Sequence, residues 1–288
     1  MIKPKKFHIK VFSILFYRSK GSILNRFNSL LSPLEYEKMT AVKNEIKINK
    51  VIKYISPDKY MGKLIRVGGT GDGSYVVPFE ILNKNTYLIS GGIENNNKFE
   101  IYAASRGISG IQIDNSINEP PQVHTNLKFL NATLGKKDSR GNISLETLVK
   151  NSPKRKNLFI KIDIEGSEIE ALKSLSVRNL KKIDCLVMEL HNLGSITENN
   201  DEIYNLLSRL HDANLRSVYI QANNACLTYL LAGVLVPDNL EITYVKKSKT
   251  TKPDINYIRR IKKLATRNKF DKSLINIDHI LFDKLTTT

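Results

Sequence analysis

From residue 61 onward the chain alternates short β-rich runs with helical stretches, and this alternation narrows the available folds more than any other feature. Candidate strands are Thr86–Ser90, Gly110–Asp114, Lys128–Ala132, Leu158–Asp163, Cys185–Leu190, Ser217–Gln221 and Leu240–Val245. Helical patterning follows the first, second, fourth and fifth of these, over Lys98–Ser105, Asn118–Asn126, Glu168–Leu175 and Asp201–Ala213. Strands separated by helices imply βαβ units and a mainly parallel sheet. The last two strands are joined differently, by a Pro-containing connection whose one candidate helix is Ala225–Ala232. We therefore expect an α/β fold, a mostly parallel seven-stranded sheet with an antiparallel last strand. The 288 residues, 41% of them apolar, suffice for one such core with additions. The expected divisions are a basic helical extension over 1–60, the α/β domain over 61–246 and a second basic helical extension over 247–288.

Charge is concentrated at the two ends. The net formal charge is +17, yet residues 1–26 hold seven Lys/Arg and no acid, and residues 246–272 hold eleven against Asp254 and Asp271. The middle is close to neutral. Flanks of this kind suit a polyanion such as an acidic glycan, an anionic membrane face or nucleic acid, or form a solvated surface. The stretch Phe7–Tyr17 is interrupted by His8 and Lys10 and is too short to span a bilayer. It reads better as a basic amphipathic segment on a membrane surface. Asp254–Asn268 carries Ile255, Ile258, Ile261 and Leu264 at helical spacing, interleaved with Arg259, Arg260, Lys262 and Lys263, and invites the same reading. Cys185 and Cys226 lie far apart and outside any CxxC pair, which argues against a zinc site or a disulfide framework. A reduced, cytoplasmic protein, peripheral at the inner membrane face, is the expectation.

Chemistry-bearing residues gather where strands should end. Gly91 and Gly92 follow an apolar strand and precede a helix, a place where backbone approaches a ligand closely. There is no GxGxxG and no phosphate-binding Lys, so a nucleoside of lower charge fits better than a pyrophosphate. Asp114 ends the next strand, 23 residues beyond Gly91, at the spacing of a ribose-binding acid; helix capping is the alternative. The strongest segment, KIDIEGSEIEAL at 161–172, delivers Asp163 and Glu165 to the same edge, with Gly166 permitting the turn. Paired carboxylates there suit accepting a proton, orienting a hydroxyl or binding a metal. Glu189 and His191 share a face at the end of the following strand, and Asn223–Asn224 end the one after, where amides suit a polyhydroxyl acceptor. A glycine-rich stretch, Arg66 to Pro78, is either a hairpin turn or a loop closing over the cofactor.

KIDIEGSEIEAL resembles the signature strand and helix of FkbM-type methyltransferases. GDGSYVVP, LISGGIENNNKFE, GIQID, SLETL, VMELH, IQANN and LVPDNLEITYV follow the same order, over about residues 64–246. The resemblance implies a Rossmann-like class I fold, S-adenosylmethionine as methyl donor, and a hydroxyl acceptor, often on a sugar. It carries cofactor binding onto Gly91, Gly92, Glu94 and Asp114, and the active edge onto Asp163, Glu165 and Gly166. Carry-over extends to Glu189, His191 and Asn223. The usual GxGxG has become Ser90-Gly91-Gly92-Ile93-Glu94-Asn95.

On this basis His191, or Asp163 through hydrogen bonding, is expected to take the acceptor's proton as the methyl transfers, with Glu165 at the same edge. Glu189, Asn223 and Asn224 are expected to hold the substrate. A divalent metal on Asp163, Glu165 or His191 is compatible with the set. The expected acceptor is a sugar hydroxyl in a surface glycan or its precursor. The rivals are an RNA methyltransferase, motivated by the charge, and a non-catalytic scaffold, motivated by the altered glycine motif.

Overall fold

The structure is a computed structural model that describes residues 45–197, 201–231 and 233–286. Most of the expected N-terminal extension, including Phe7–Tyr17, lies outside the described residues. Its last part is helix α1, residues 45–55, which buries Ile48, Val51, Ile52 and Ile55 at helical spacing. A hairpin follows, β1 (Leu64–Val67) and β2 (Tyr75–Pro78), paired antiparallel around the glycine-rich loop.

The central sheet takes β3 (Thr86–Gly91), β4 (Ser109–Ile113), β5 (Leu127–Leu130), β6 (Asn157–Ile162), β7 (Ile183–Leu190), β8 (Leu215–Ala222) and β11 (Leu240–Lys246). Between β8 and β11 stands a small hairpin, β9 (Thr228–Leu231) and β10 (Val234–Pro237). The order across the sheet is β8-β11-β7-β6-β3-β4-β5. All pairings are parallel except those of β11, which runs antiparallel to both β7 and β8. The last strand is thus antiparallel, as expected, and sits one place in from the edge. The central strands read as near-continuous apolar runs because both faces are covered. Helices α2 (Lys98–Ser105), α3 (Leu145–Asn151), α4 (Glu168–Lys173) and α5 (Glu202–Asp212) lie in the connections. In α5, Ile203, Leu206, Leu207 and Leu210 form one buried stripe.

Two expected helices are absent. Asn118–Asn126 is irregular, because Pro120 and Pro121 remove consecutive N–H donors and disfavour helical geometry before them. Ala225–Ala232 is not helical either; its later residues form β9, whose β-branched and aromatic partners pair across the turn at Gly233. The C-terminal helix exists as α6 (Ile255–Lys262), capped by Asp254 accepting from the Tyr257 N–H at 2.7 Å. Its apolar face is not free to meet a membrane. Tyr257, Ile258 and Ile261 are buried in the same core as the sheet, and the Tyr257 hydroxyl donates to the Val218 carbonyl at 2.6 Å. Among the described residues no helix is long and apolar enough to cross a membrane.

One face of the sheet is polar near the carboxyl ends of its parallel strands. Gln112, Ser90 and Lys161 lie in register on β4, β3 and β6. Farther along, Asp163 follows β6, and Glu189, Glu241 and Gln221 are in register on β7, β11 and β8. Hairpin β1–β2 and α2 cover this face. Tyr75 meets Phe99 edge-on at 5.5 Å, and the Thr243 hydroxyl donates to the Val76 carbonyl.

Candidate active site

The turn from β6 to α4 is built from two consecutive left-handed residues, Glu165 (φ 53°) and Gly166 (φ 94°). A non-glycine residue held there stores strain of the kind concentrated at functional sites. Glu168, in the first turn of α4, fixes the turn by accepting from the N–H groups of Ile164 (3.0 Å) and Gly166 (3.1 Å). The same oxygen, Glu168 Oε1, lies 3.1 Å from His191 Nδ1. One buried carboxylate therefore sets both the turn and the imidazole.

With Nδ1 held by Glu168, His191 Nε2 faces the other acids, 3.6 Å from Glu165 and 4.0 Å from Glu189. Asp163, Glu189 and His191 each offer an atom within 4.8 Å of the others. Glu165, placed by sequence in the metal-capable set, lies outside this trio; its side chain is 74% exposed at the rim. Glu189 takes its place. Glu189 Oε1 accepts from Asn223 Nδ2 at 2.7 Å and from Asn239 Nδ2 at 3.4 Å. Asp163 accepts from the Tyr75 hydroxyl.

Burial alone would lower the His191 pKa, but the hydrogen bond and charge of Glu168, with Glu189 and Asp163 behind, push it up to about 9. An upward shift favours the protonated ring, which suits a charge partner better than the expected general base. Burial and the neighbouring Asp163 charge push Glu189 up to about 7 despite Asn223. Glu241, buried beside Arg66 and Asn268, is pushed up to about 8. A carboxylate shifted toward 7 has the chemistry for proton transfer at neutral pH.

At the neighbouring strand end, Gly92 has φ 75°, and a Cβ there would lie 1.5 Å from the Asp163 carbonyl oxygen. The close approach that requires glycine is thus to the protein's own chain. Asp114 stands where its spacing placed it, but its acceptors are already engaged. Oδ2 takes the N–H groups of Ile93 and Glu94, both at 2.8 Å, and Oδ1 takes the Ser116 N–H and hydroxyl. Burial opposes its ionisation, yet these hydrogen bonds hold its pKa below the usual range. Asp114 clamps the turn, and Glu94 (φ 40°) is left exposed at the tip. After β5 a cleft of about 310 Å³ is lined by Leu130, Asn131, Ala132, Asp138, Asn142 and Ile143 among others.

Asn224 does not face this site. Its Nδ2 donates to the carbonyls of Lys269 and Lys272, and its Oδ1 accepts the Lys269 N–H, so it anchors the C-terminal segment. The glycine-rich loop is both a hairpin turn and a neighbour of the cofactor turn, since Asn96 Nδ2 donates to the Asp72 carbonyl at 3.1 Å.

Sequence reading missed several residues. Lys161 is 4% exposed, donates to the Gly92 carbonyl and lies 4.0 Å from Glu100. Its signal was present: a lysine in the middle of an apolar strand. Arg66 also escaped notice, although it binds Ser74, Tyr219, Gln221 and Leu264. Apart from Ser74 its partners are remote in sequence, and no spacing reports them.

A seven-stranded sheet with one antiparallel strand, a glycine turn after its first parallel strand and acids along the adjoining ends define a Rossmann-like class I methyltransferase. The profile of the Methyltransferase FkbM domain matches residues 57–216. The chain belongs to that family and is an S-adenosylmethionine-dependent methyltransferase. No curated protein sequence matches it. Among solved structures it is similar to a precorrin-6Y C5,15-methyltransferase from Geobacter metallireducens, at 10% identity over 70% of this chain and 88% of that one, TM-score 0.31. It is also similar to the 23S rRNA methyltransferase ErmE, at 9% identity over 66% and 77%, TM-score 0.33. A third is an S-adenosylmethionine-dependent methyltransferase from Agrobacterium tumefaciens, at 9% identity over 66% and 72%, TM-score 0.30. Likeness this distant says nothing about the acceptor.

Proposed function

We propose that the protein is an O-methyltransferase acting on a sugar hydroxyl in a surface glycan or its precursor. The carrying observation is the buried Glu189, flanked by Asp163 and His191, with only β6 between its strand and the glycine turn after β3. Bound S-adenosylmethionine supplies an electrophilic methyl group. The turn at Gly91–Glu94 holds the donor, and Asp114 and Gly92 keep that turn in place. Glu189 accepts the hydroxyl proton as the acceptor oxygen takes the methyl. The His191 cation, fixed by Glu168, stabilises the Glu189 carboxylate without competing for that proton. Asn223 holds Glu189 in position rather than acting on substrate directly. Alignment of the reacting atoms contributes up to about 7–11 kcal/mol of the barrier reduction.

The test is transfer of labelled methyl to a panel of acidic and neutral glycans, with RNA as the comparison. Label on a sugar hydroxyl supports the reading; label on RNA bases sinks it. Full activity in a chelator supports proton handling by Asp163, Glu189 and His191. Loss of activity restored by magnesium would assign these side chains to a cation.

A further inference from the structure

The hairpin β9–β10 breaks the alternation its position calls for. Its inner face carries Leu231 and Val236, both buried, and Tyr229, which packs on Gly194. A surface hairpin should then present polar side chains outward. Instead Leu230 and Leu235, a cross-strand pair, point to solvent at 46% and 52% exposure, with Leu227 at the foot of the hairpin at 68%. The adjoining C-terminal segment exposes Phe270 and Leu274, and with them the three cations Arg267, Lys269 and Lys272 against the single acid Asp271. The C-terminal segment meets the chain just before the hairpin foot: Lys272 Nζ donates to the Ala225 carbonyl at 3.2 Å, and Asn224 holds the backbone at 269 and 272.

We propose that this face docks on an anionic lipid bilayer, the leucine pair and Phe270 entering the headgroup boundary while Arg267, Lys269 and Lys272 meet lipid phosphates. Clustered apolar side chains rimmed by cations have the chemistry of interfacial binding. A second copy of the chain is the weaker occupant, because a two-fold pairing would bring the same cations together. The face lies beyond the carboxyl ends of β7 and β8, so docking turns the mouth of the active site toward a lipid-anchored acceptor. That last point rests on the proposed function; the docking itself does not.

Co-sedimentation of the full chain with vesicles of phosphatidylcholine, with and without phosphatidylglycerol, tests it. Binding is expected only with phosphatidylglycerol. L230S/L235S and K269E/K272E should each weaken it by about tenfold or more, with S-adenosylmethionine affinity and melting temperature unchanged. Full vesicle binding by both variants overturns the proposal. So does a vesicle-free dimer that L230S/L235S dissociates, which gives the face to a second copy. Failure of sugar methylation with docking intact would count against the acceptor assignment alone.

Discussion

Burial and the Asp163 charge push the Glu189 pKa up to about 7, and Glu168 outweighs burial to push that of His191 up to about 9. The methyl-transfer rate should therefore rise through about pH 7 as Glu189 ionises and fall above about pH 9 as His191 loses its charge. A pH–rate profile with saturating donor checks both limbs. Glu189→Gln should cost about 10²–10⁴-fold in kcat, with donor affinity nearly unchanged by calorimetry. Stability carries a separate signature. The folded pKa of His191 exceeds its ordinary value of 6.5, so its contribution is complete below pH 6.5 and lost as pH rises through about 9. Chemical denaturation of wild type and His191→Gln across that window should show wild type losing up to about 3 kcal/mol relative to the variant.

The turn after β3 is held by contacts to two other strand ends rather than by its own sequence. Gly92→Ala drives a Cβ into the Asp163 carbonyl at φ 75° and should destabilise the fold by on the order of 3 kcal/mol or more, read from the denaturation midpoint. The C-terminal segment is held in a comparable way. Asn224→Ala removes three hydrogen bonds to residues 269 and 272 and should cost about 1–3 kcal/mol. Hydrogen exchange should quicken over 265–274 while β6 and β7 stay protected.

In the whole molecule, the chain after residue 246 is part of the core. Tyr257, Ile258, Ile261, Ile277, Ile280 and Leu281 are buried with the sheet, and Ser56 Oγ donates to the Ile280 carbonyl at 2.9 Å. Burying six such side chains at about 1.5–3 kcal/mol each amounts to as much as a domain's entire net stability. A chain ending at residue 246 should therefore fail to give a cooperative thermal transition, measured by circular dichroism. A soluble truncation melting like the full chain would contradict this.

The sheet, its strand boundaries to within a few residues and the strand-end location of Asp163, Glu189 and His191 were legible because apolar periodicity and glycine spacing are local properties. The same locality explains the errors. Pro120–Pro121 and the cross-strand pairing of 228–231 with 234–237 override weak helical patterning, and α6 looked like a surface helix because its sequence cannot show what covers it. Which acid is shifted toward neutral pH, which amide anchors a distant segment and which lysine is buried depend on neighbours about 25 to 70 residues away. Charge and burial act through space, so His191 could be found from its strand, but its proton could be placed only once Glu168 was seen beside it.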